Sequence, residues 1–312
     1  MFDVVMPLYN KGKFVEATIE SVLAQRHGEW RLFVVDDGSS DNGVELVRRF
    51  SDPRVKLIEQ SNKGVGPARN RGIREGTADW IAFLDADDVW NPDHLEELAA
   101  LRTAFPEAVL LGCAFRRFSG AVEPGPSARQ GRRRLSRYFA DCARGQELLV
   151  TSSAAVSRAA LAAVGDFKPL PGNEDVELWA RLALTGPVAV SSRQTVNYRV
   201  DSGGITDTAR RMRVGKPLRR AELSSAIPTL EDALPGLIDP TLRQDVNDYM
   251  DSRIGVRLVA AVLEGDMAYA RQLRSLYRGN PKGKAMIGAA IARLPAPLAR
   301  MLIRTGQRLR LR

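Results

Sequence analysis

Trp80-Ile81-Ala82-Phe83-Leu84-Asp85-Ala86-Asp87-Asp88 is an unbroken apolar run that ends in a cluster of carboxylates. The run reads as a strand, and the acids lie where it stops. At a strand end residues i and i+2 point the same way, so Asp85 and Asp87 converge on one small volume. Two like charges that close cost free energy unless a cation joins them. A hard divalent ion that also bridges phosphate oxygens meets that need. A solvated acidic turn is the plainer reading of the same residues.

Upstream, short apolar runs alternate with amphipathic stretches. Strands are expected at Phe2–Met6, Arg31–Val35 and Val55–Glu59, and helices at Lys13–Arg26, Asn42–Phe50, Gly66–Glu75 and Pro92–Ala104. In the first helix Val15, Ile19, Val22 and Leu23 fall on one face. Strands separated by helices at this spacing imply an α/β fold, a mostly parallel sheet flanked by helices. Ligands of such sheets bind beyond the carboxyl ends of the strands. Three polar clusters fall there: Pro7-Leu8-Tyr9-Asn10, Asp36-Asp37-Gly38-Ser39 and Asp85 to Asp88.

A carboxylate at Asp36 can accept a hydrogen bond from a nucleobase or a ribose hydroxyl, or it can simply cap the turn that follows. Asn62-Lys63-Gly64-Val65-Gly66-Pro67-Ala68-Arg69-Asn70 leads glycines into a helix bearing Arg69, a setting that suits a nucleotide. An ordinary loop with a solvated arginine is the plainer reading of the same residues. Neither a GxxxxGK[ST] loop nor GxGxxG occurs, which removes support for triphosphatase and dinucleotide readings. Glu174-Asp175 opens a helix expected to run to about Leu184, either as dipole-favoured acids or with one of them a general base.

Composition narrows the classes further. The chain has 312 residues, 44% hydrophobic and 27% charged, enough to bury a core and inconsistent with wholesale disorder. Aromatics at 6% argue against a platform for single-stranded nucleic acid. Net charge is 46 − 37 = +9, but no nucleic-acid-binding motif accompanies it, so no nucleic-acid partner is expected. With only His27 and His94, a histidine-built zinc site is excluded. Cys113 and Cys142, without CxxC, suit buried thiols in a reducing cytosol. The first apolar run stops at Pro7, and no stretch approaches the roughly 18 apolar residues of a spanning helix. A cytoplasmic protein, soluble or peripheral at the inner face of the membrane, is expected.

Taken in order, these residues resemble the family 2 glycosyltransferases of GT-A fold. The resemblance rests on Val5-Met6-Pro7-Leu8-Tyr9-Asn10, Val34 to Asp41, Asn62-Lys63-Gly64 with Ala68-Arg69-Asn70, Phe83 to Asp88, and Gly172-Asn173-Glu174-Asp175 with Leu178-Trp179. It covers about residues 1 to 205. It implies that Pro7, Tyr9 and Asn10 line a nucleotide pocket, Asp36 hydrogen-bonds the base and Arg69 helps hold the nucleotide. Asp85 is implied near the ribose or metal, Asp87 as a ligand of Mn²⁺ or Mg²⁺ on the diphosphate, and Asp175 as the catalytic base. The implied activity is inverting transfer of one sugar from a nucleoside-diphosphate-sugar, a UDP-sugar foremost, to a glycan or lipid-linked acceptor. The family's Tyr-Arg-x-His reads Tyr198-Arg199-Val200-Asp201 here, and the QxxRW of processive synthases is absent.

A catalytic domain over 1–216 is expected, with its nucleotide half to about 110 and its acceptor half from 111, followed by a helical region over 217–312. Residues 119 to 134 read as an exposed loop, its Arg132-Arg133-Arg134 run either solvated or a lure for an anionic acceptor. From Ala296 to Arg312, apolar residues alternate with arginines. That segment reads as an amphipathic helix that lies on an anionic membrane surface or packs on the domain. Two other classes fit parts of the pattern: a nucleotidyltransferase, which should show an early basic glycine-rich loop, and a non-catalytic sugar-nucleotide-binding protein.

Overall fold

A computed structural model describes residues 1–122, 125, 127, 131–170, 172–203, 224–264, 266–279, 289–291, 293–295, 298 and 301. The stretch 204–215 and, apart from Leu298 and Met301, the basic segment 296–312 lie outside these residues. The chain forms two compact units, Met1–Tyr138 with Glu147–Asp207, and Phe139–Gln146 with Thr208–Arg312.

The first unit is built on a nine-stranded sheet, ordered β3-β2-β1-β4-β8-β6-β9-β5, with β7 paired to β9. Its first half is parallel: β1 (Phe2–Leu8) lies between β2 (Trp30–Asp36) and β4 (Trp80–Phe83), and β3 (Val55–Glu59) closes the edge. Antiparallel pairings then enter at β8 (Ala154–Ser157), which joins β4 to β6 (Leu110–Phe118). The long β9 (Val188–Arg199) runs parallel to β6 and antiparallel to β5 (Val89–Trp90) and β7 (Arg133–Ser136).

Strands covered on both faces must be apolar on both, and β1 shows it: Phe2, Val4, Val5, Met6 and Leu8 are all fully buried. Each such side chain contributes about 1.5–3 kcal/mol on leaving water. Helix α1 (Gly12–Leu23) lays Val15, Ile19 and Val22 into the same core. Helix α3 (Val65–Glu75), which follows the short α2 (Gly43–Val47), comes so close to β1 that a methyl group on Gly72 would meet Val5 Cγ1 at 2.7 Å. Helix α4 (His94–Ala104) starts two residues later than Pro92, because His94 N–H donates back to the Asn91 carbonyl and closes a turn first.

The reading of 119–134 as exposed loop needs correcting at both ends of its second half. Ser127 is buried and Arg133 opens β7, pairing with the buried carboxylate of Glu97 at 2.7 Å. Burial alone would push Glu97 up, but Arg133, Ser191 and Arg193 outweigh it and hold the acid down at about 2. Arg133 is therefore a structural partner rather than a solvated charge. Both cysteines are buried, and burial pushes the Cys113 thiol up to about 12, which leaves it inert.

In the second unit the long helix Pro240–Glu264 buries Val246, Met250, Ile254, Leu258 and Ala261 at helical spacing. Its Tyr249 meets Phe139 edge-on at 5.6 Å. The helices Ala226–Ala233 and Met267–Ser275 belong to the same unit, the latter capped by the Asp266 carboxylate on Tyr269 N–H. No helix among the described residues is long and apolar enough to cross a membrane.

Candidate active site

The three polar clusters lie side by side because β2, β1 and β4 are neighbours. Leu8 stands level with Asp36, and Val5 with Phe83, so Tyr9, Asp36 and Asp85 emerge at one edge. Pro7 sits half-buried in β1, while Tyr9 holds its ring 49% exposed just beyond. Asn10 takes a left-handed conformation, φ 51°, which asparagine tolerates better than most residues. It receives Ser40 N–H on Oδ1 at 2.8 Å and donates its own N–H to Ser39 Oγ at 3.0 Å, lacing the first two strand ends together.

Asp36 closes its own turn, accepting Gly38 N–H at 3.1 Å and Ser39 N–H at 3.2 Å. Gly38 makes that turn at φ 76°, and an added Cβ would press on Asn62 N at 3.0 Å. Two backbone bonds do not exhaust the acceptor sites of a carboxylate, so Asp36 retains capacity for a ligand N–H. Asp37 is more heavily engaged: Gln60 Nε2, Lys63 N–H and Gly64 N–H all donate to it, which anchors the loop into α3.

From α3, Arg69 reaches both acidic clusters. It binds Asp85 at 2.7 Å and Glu174 at 2.5 Å while only 3% of its side chain is exposed. Burial would weaken its charge, but Asp85, Glu174 and Asp175 around it outweigh that and raise its pKa. The arginine assigned by resemblance to the nucleotide thus spends its guanidinium on two carboxylates. Asp85 keeps 29% of its side chain exposed. Burial and the charge on Asp87 push its pKa upward against the pull of Arg69.

Asp87 is joined by a residue that the sequence pattern did not single out. Lys11, the next residue after Asn10, places its ammonium 2.7 Å from Asp87, with both side chains about one-sixth exposed or less (16% and 14%). Lys11 also donates to the Ser202 carbonyl at 3.2 Å. Asp88 turns inward, accepting Ser152 Oγ–H at 2.5 Å and Arg199 N–H at 2.7 Å. Burial, and then the charges of Asp87 and Asp85, push it well above the usual carboxylate range. Arg199 Nε donates to the Asp87 carbonyl at 3.1 Å. So the stretch that lacks the family's histidine still meets the acidic loop, directly through Arg199 and by way of Lys11 through Ser202.

Opposite, helix α5 (Glu174–Thr185) begins after Asn173, another left-handed residue at φ 56°. Glu174 is buried on Arg69, whereas Asp175 is half-buried. Asp175 Oδ2 accepts Thr151 Oγ1–H at 2.7 Å and Oδ1 accepts Val176 N–H at 2.8 Å. Arg199 was noted only within the Tyr198-Arg199-Val200-Asp201 stretch, and Lys11, Thr151 and Ser152 were not predicted. The only sequence signal for them is position: Lys11 directly follows a strand-end motif, and Thr151-Ser152-Ser153 is a hydroxyl run just before β8.

Asp85 and Asp87 suit Mn²⁺ or Mg²⁺ in kind. Such ions take hard oxygens, often only one or two carboxylates, with water and phosphate completing the shell. Among the described residues no group of three His, Cys, Asp or Glu side chains stands assembled to hold a metal. An ion here would therefore need phosphate oxygens as well. Asp87 is the more available donor, because its partner is a lysine on a flexible stem and not a buried guanidinium held at both ends.

Comparisons with known proteins bear on the family and the fold. The family model for glycosyl transferase family 2 matches residues 3–165, just over half of the chain. One relative, the UDP-Glc:alpha-D-GlcNAc-diphosphoundecaprenol beta-1,3-glucosyltransferase WfgD of Escherichia coli, is 42% identical over 97 residues, 31% of this chain and 38% of that protein. A putative teichuronic acid biosynthesis glycosyltransferase of Bacillus subtilis, TuaG, is 34% identical over 100 residues, 31% of this chain and 40% of its own. The matches thus span less than half the length of these curated relatives. Among solved structures, S. aureus TarS 1-349 in complex with UDP-GlcNAc aligns over 93% of this chain and 90% of its own, with TM-score 0.57 and 18% identity. The mannosyltransferase PcManGT of Pyrobaculum calidifontis, in complex with GDP-Man and Mn2+, aligns over 93% and 86%, with TM-score 0.58 and 17% identity. At such identities the likeness is one of fold, and the fold is GT-A.

Proposed function

We propose that this chain, which belongs to glycosyl transferase family 2, is an inverting enzyme that moves one sugar from a nucleoside-diphosphate donor to an acceptor hydroxyl. The observation that carries the reading is the ion-pair chain Asp85–Arg69–Glu174, which draws the acidic loop after β4 and the first turn of α5 to one place. A diphosphate site and a proton acceptor are the two things sugar transfer needs, and they come from these two segments.

In this reading Tyr9 and Asn10 border the nucleotide, with Pro7 beneath them, and Asp36 accepts from the base. Asp87, with Asp85 beside it, holds Mn²⁺ or Mg²⁺. Such an ion supplies neutralisation of the charge that develops on the departing diphosphate. Lys11, displaced from Asp87, leaves a further positive charge beside the same loop. Arg69 keeps Asp85 in position from below. Asp175 takes the proton of the acceptor hydroxyl as the new bond forms, a contribution typically of about 10²–10⁴-fold. With one base and no carboxylate acting as nucleophile, the anomeric configuration inverts.

The donor is proposed to be a UDP-sugar, in line with the UDP-Glc and UDP-GlcNAc named for WfgD and TarS. The acceptor is proposed to be a glycan or a lipid-linked sugar, in glycan or glycoconjugate synthesis. A thermal-shift screen against nucleoside diphosphates and their sugar conjugates, with Mn²⁺ or with chelator, tests the reading. A ligand that binds the native state raises the melting temperature by mass action, by about 2.7 kcal/mol of stability at a hundred times its Kd. The expected result is a metal-dependent rise, largest for the uridine series. No shift with any member would overturn the proposal.

A further inference from the structure

One short turn touches both halves of the site. Thr151–Ser153 forms a 3-10 turn that runs directly into β8. Thr151 Oγ1 donates to Asp175 Oδ2 at 2.7 Å. The next residue, Ser152, accepts Asp85 N–H on its Oγ at 3.0 Å and donates the same hydroxyl to Asp88 Oδ2. Its carbonyl receives Trp90 Nε1–H at 2.7 Å. Ser153 closes the turn, accepting Val150 N–H and donating to the Val150 carbonyl, both at 3.0 Å. All three residues are buried, so these hydroxyls have little competition from solvent.

We propose that Thr151 is a positioning residue for Asp175, and that the Thr151-Ser152 pair sets the base and the acidic loop at a fixed separation. The inference rests on Asp175 being the base. A carboxylate at the first turn of a helix has free rotation about its side-chain bonds unless both oxygens are engaged. Here Val176 N–H engages one and Thr151 the other. Removing the threonine hydroxyl leaves the base chemically intact but free to turn. A displacement of about 1 Å at a reacting group costs on the order of 10²-fold in rate. Because Ser152 grips Asp85 and Asp88 from the adjacent residue, the same turn ties the proton acceptor to the diphosphate loop.

The test compares Thr151→Val, Thr151→Ala, Thr151→Ser and Asp175→Asn by steady-state kinetics, with melting temperatures measured alongside. Thr151→Val and Thr151→Ala should each lower kcat by roughly 10- to 100-fold. Donor KM and melting temperature should stay close to wild type, and Thr151→Ser should restore kcat to within about threefold. Wild-type kcat in a folded valine or alanine variant overturns the inference. So does a rise in acceptor KM at unchanged kcat, which would place Thr151 against the acceptor instead. Failure of serine to restore turnover counts against it equally. Asp175→Asn separates the levels: if it turns over like wild type, the assignment of the base itself fails. If it is inactive while Thr151→Val is fully active, only the positioning role fails.

Discussion

Asp175→Asn will abolish transfer, lowering kcat by at least 10²-fold and up to about 10⁴-fold, while the affinity for the nucleoside diphosphate stays within about twofold. Asparagine has the shape of aspartate and its carbonyl still accepts a hydrogen bond, so the local fold survives; what it loses is the ability to take a proton. The choice of Asp175 over its neighbour follows from their surroundings. Glu174 is buried and committed to Arg69, and burial pushes its pKa upward. Asp175 is only half-buried and is paired with no cation among the described residues, its oxygens meeting Thr151 and Val176 N–H. Steady-state kinetics and calorimetric titration of the variant check both limbs. Turnover near wild type would remove Asp175 from the mechanism.

Asp87→Ala will lose the metal-dependent part of nucleotide binding, weakening affinity in Mn²⁺ by roughly 100-fold, about 2.8 kcal/mol. In chelator the variant should bind no worse than wild type. The substitution frees the Lys11 ammonium, which is otherwise 2.7 Å from Asp87. The pair is the reason for expecting opposite behaviour in the two conditions: the same carboxylate serves a metal in one and neutralises a lysine in the other. Titration of wild type and variant with UDP, each with Mn²⁺ and with chelator, reads out the four affinities. Equal affinities with and without Mn²⁺ in the wild type would dispose of the ligand assignment.

Much of the frame was legible because parallel strands announce themselves. Trp80 to Leu84 is apolar throughout, and Phe2 to Met6 is apolar but for Asp3; a strand covered on both faces uses such a run. Val55–Glu59, which lies at the sheet edge, was expected at the same bounds that the structure shows. Expected helix ends agree at Glu75, Ala104 and Glu174 and elsewhere differ by one to three residues, since local turns such as the one before His94 depend on backbone bonds that side-chain periodicity does not record. Strand β7 was missed because Arg133-Arg134-Leu135-Ser136 reads as polar surface. Its burial partner, Glu97, lies far away in sequence.

The same limit applies to the site. Strand-end acids are local features, so Asp36, Asp85 and Asp87 were visible from their own neighbourhoods. Partnerships across the fold were not. Lys11 meets Asp87, Arg69 meets Glu174 and Thr151 meets Asp175 only because the sheet order and α3 bring separate strand ends together. A charge or hydroxyl carries no sequence mark of which distant group it will satisfy.

The most direct measurement of the central claim is the anomeric configuration of the product. The enzyme would be given an α-linked nucleoside-diphosphate sugar, and the glycoside formed would be examined by proton NMR. One base and no nucleophilic carboxylate require a single displacement, so the account predicts a β-linked product. An α-linked product would contradict it, because an in-line single displacement cannot retain the configuration of the anomeric carbon.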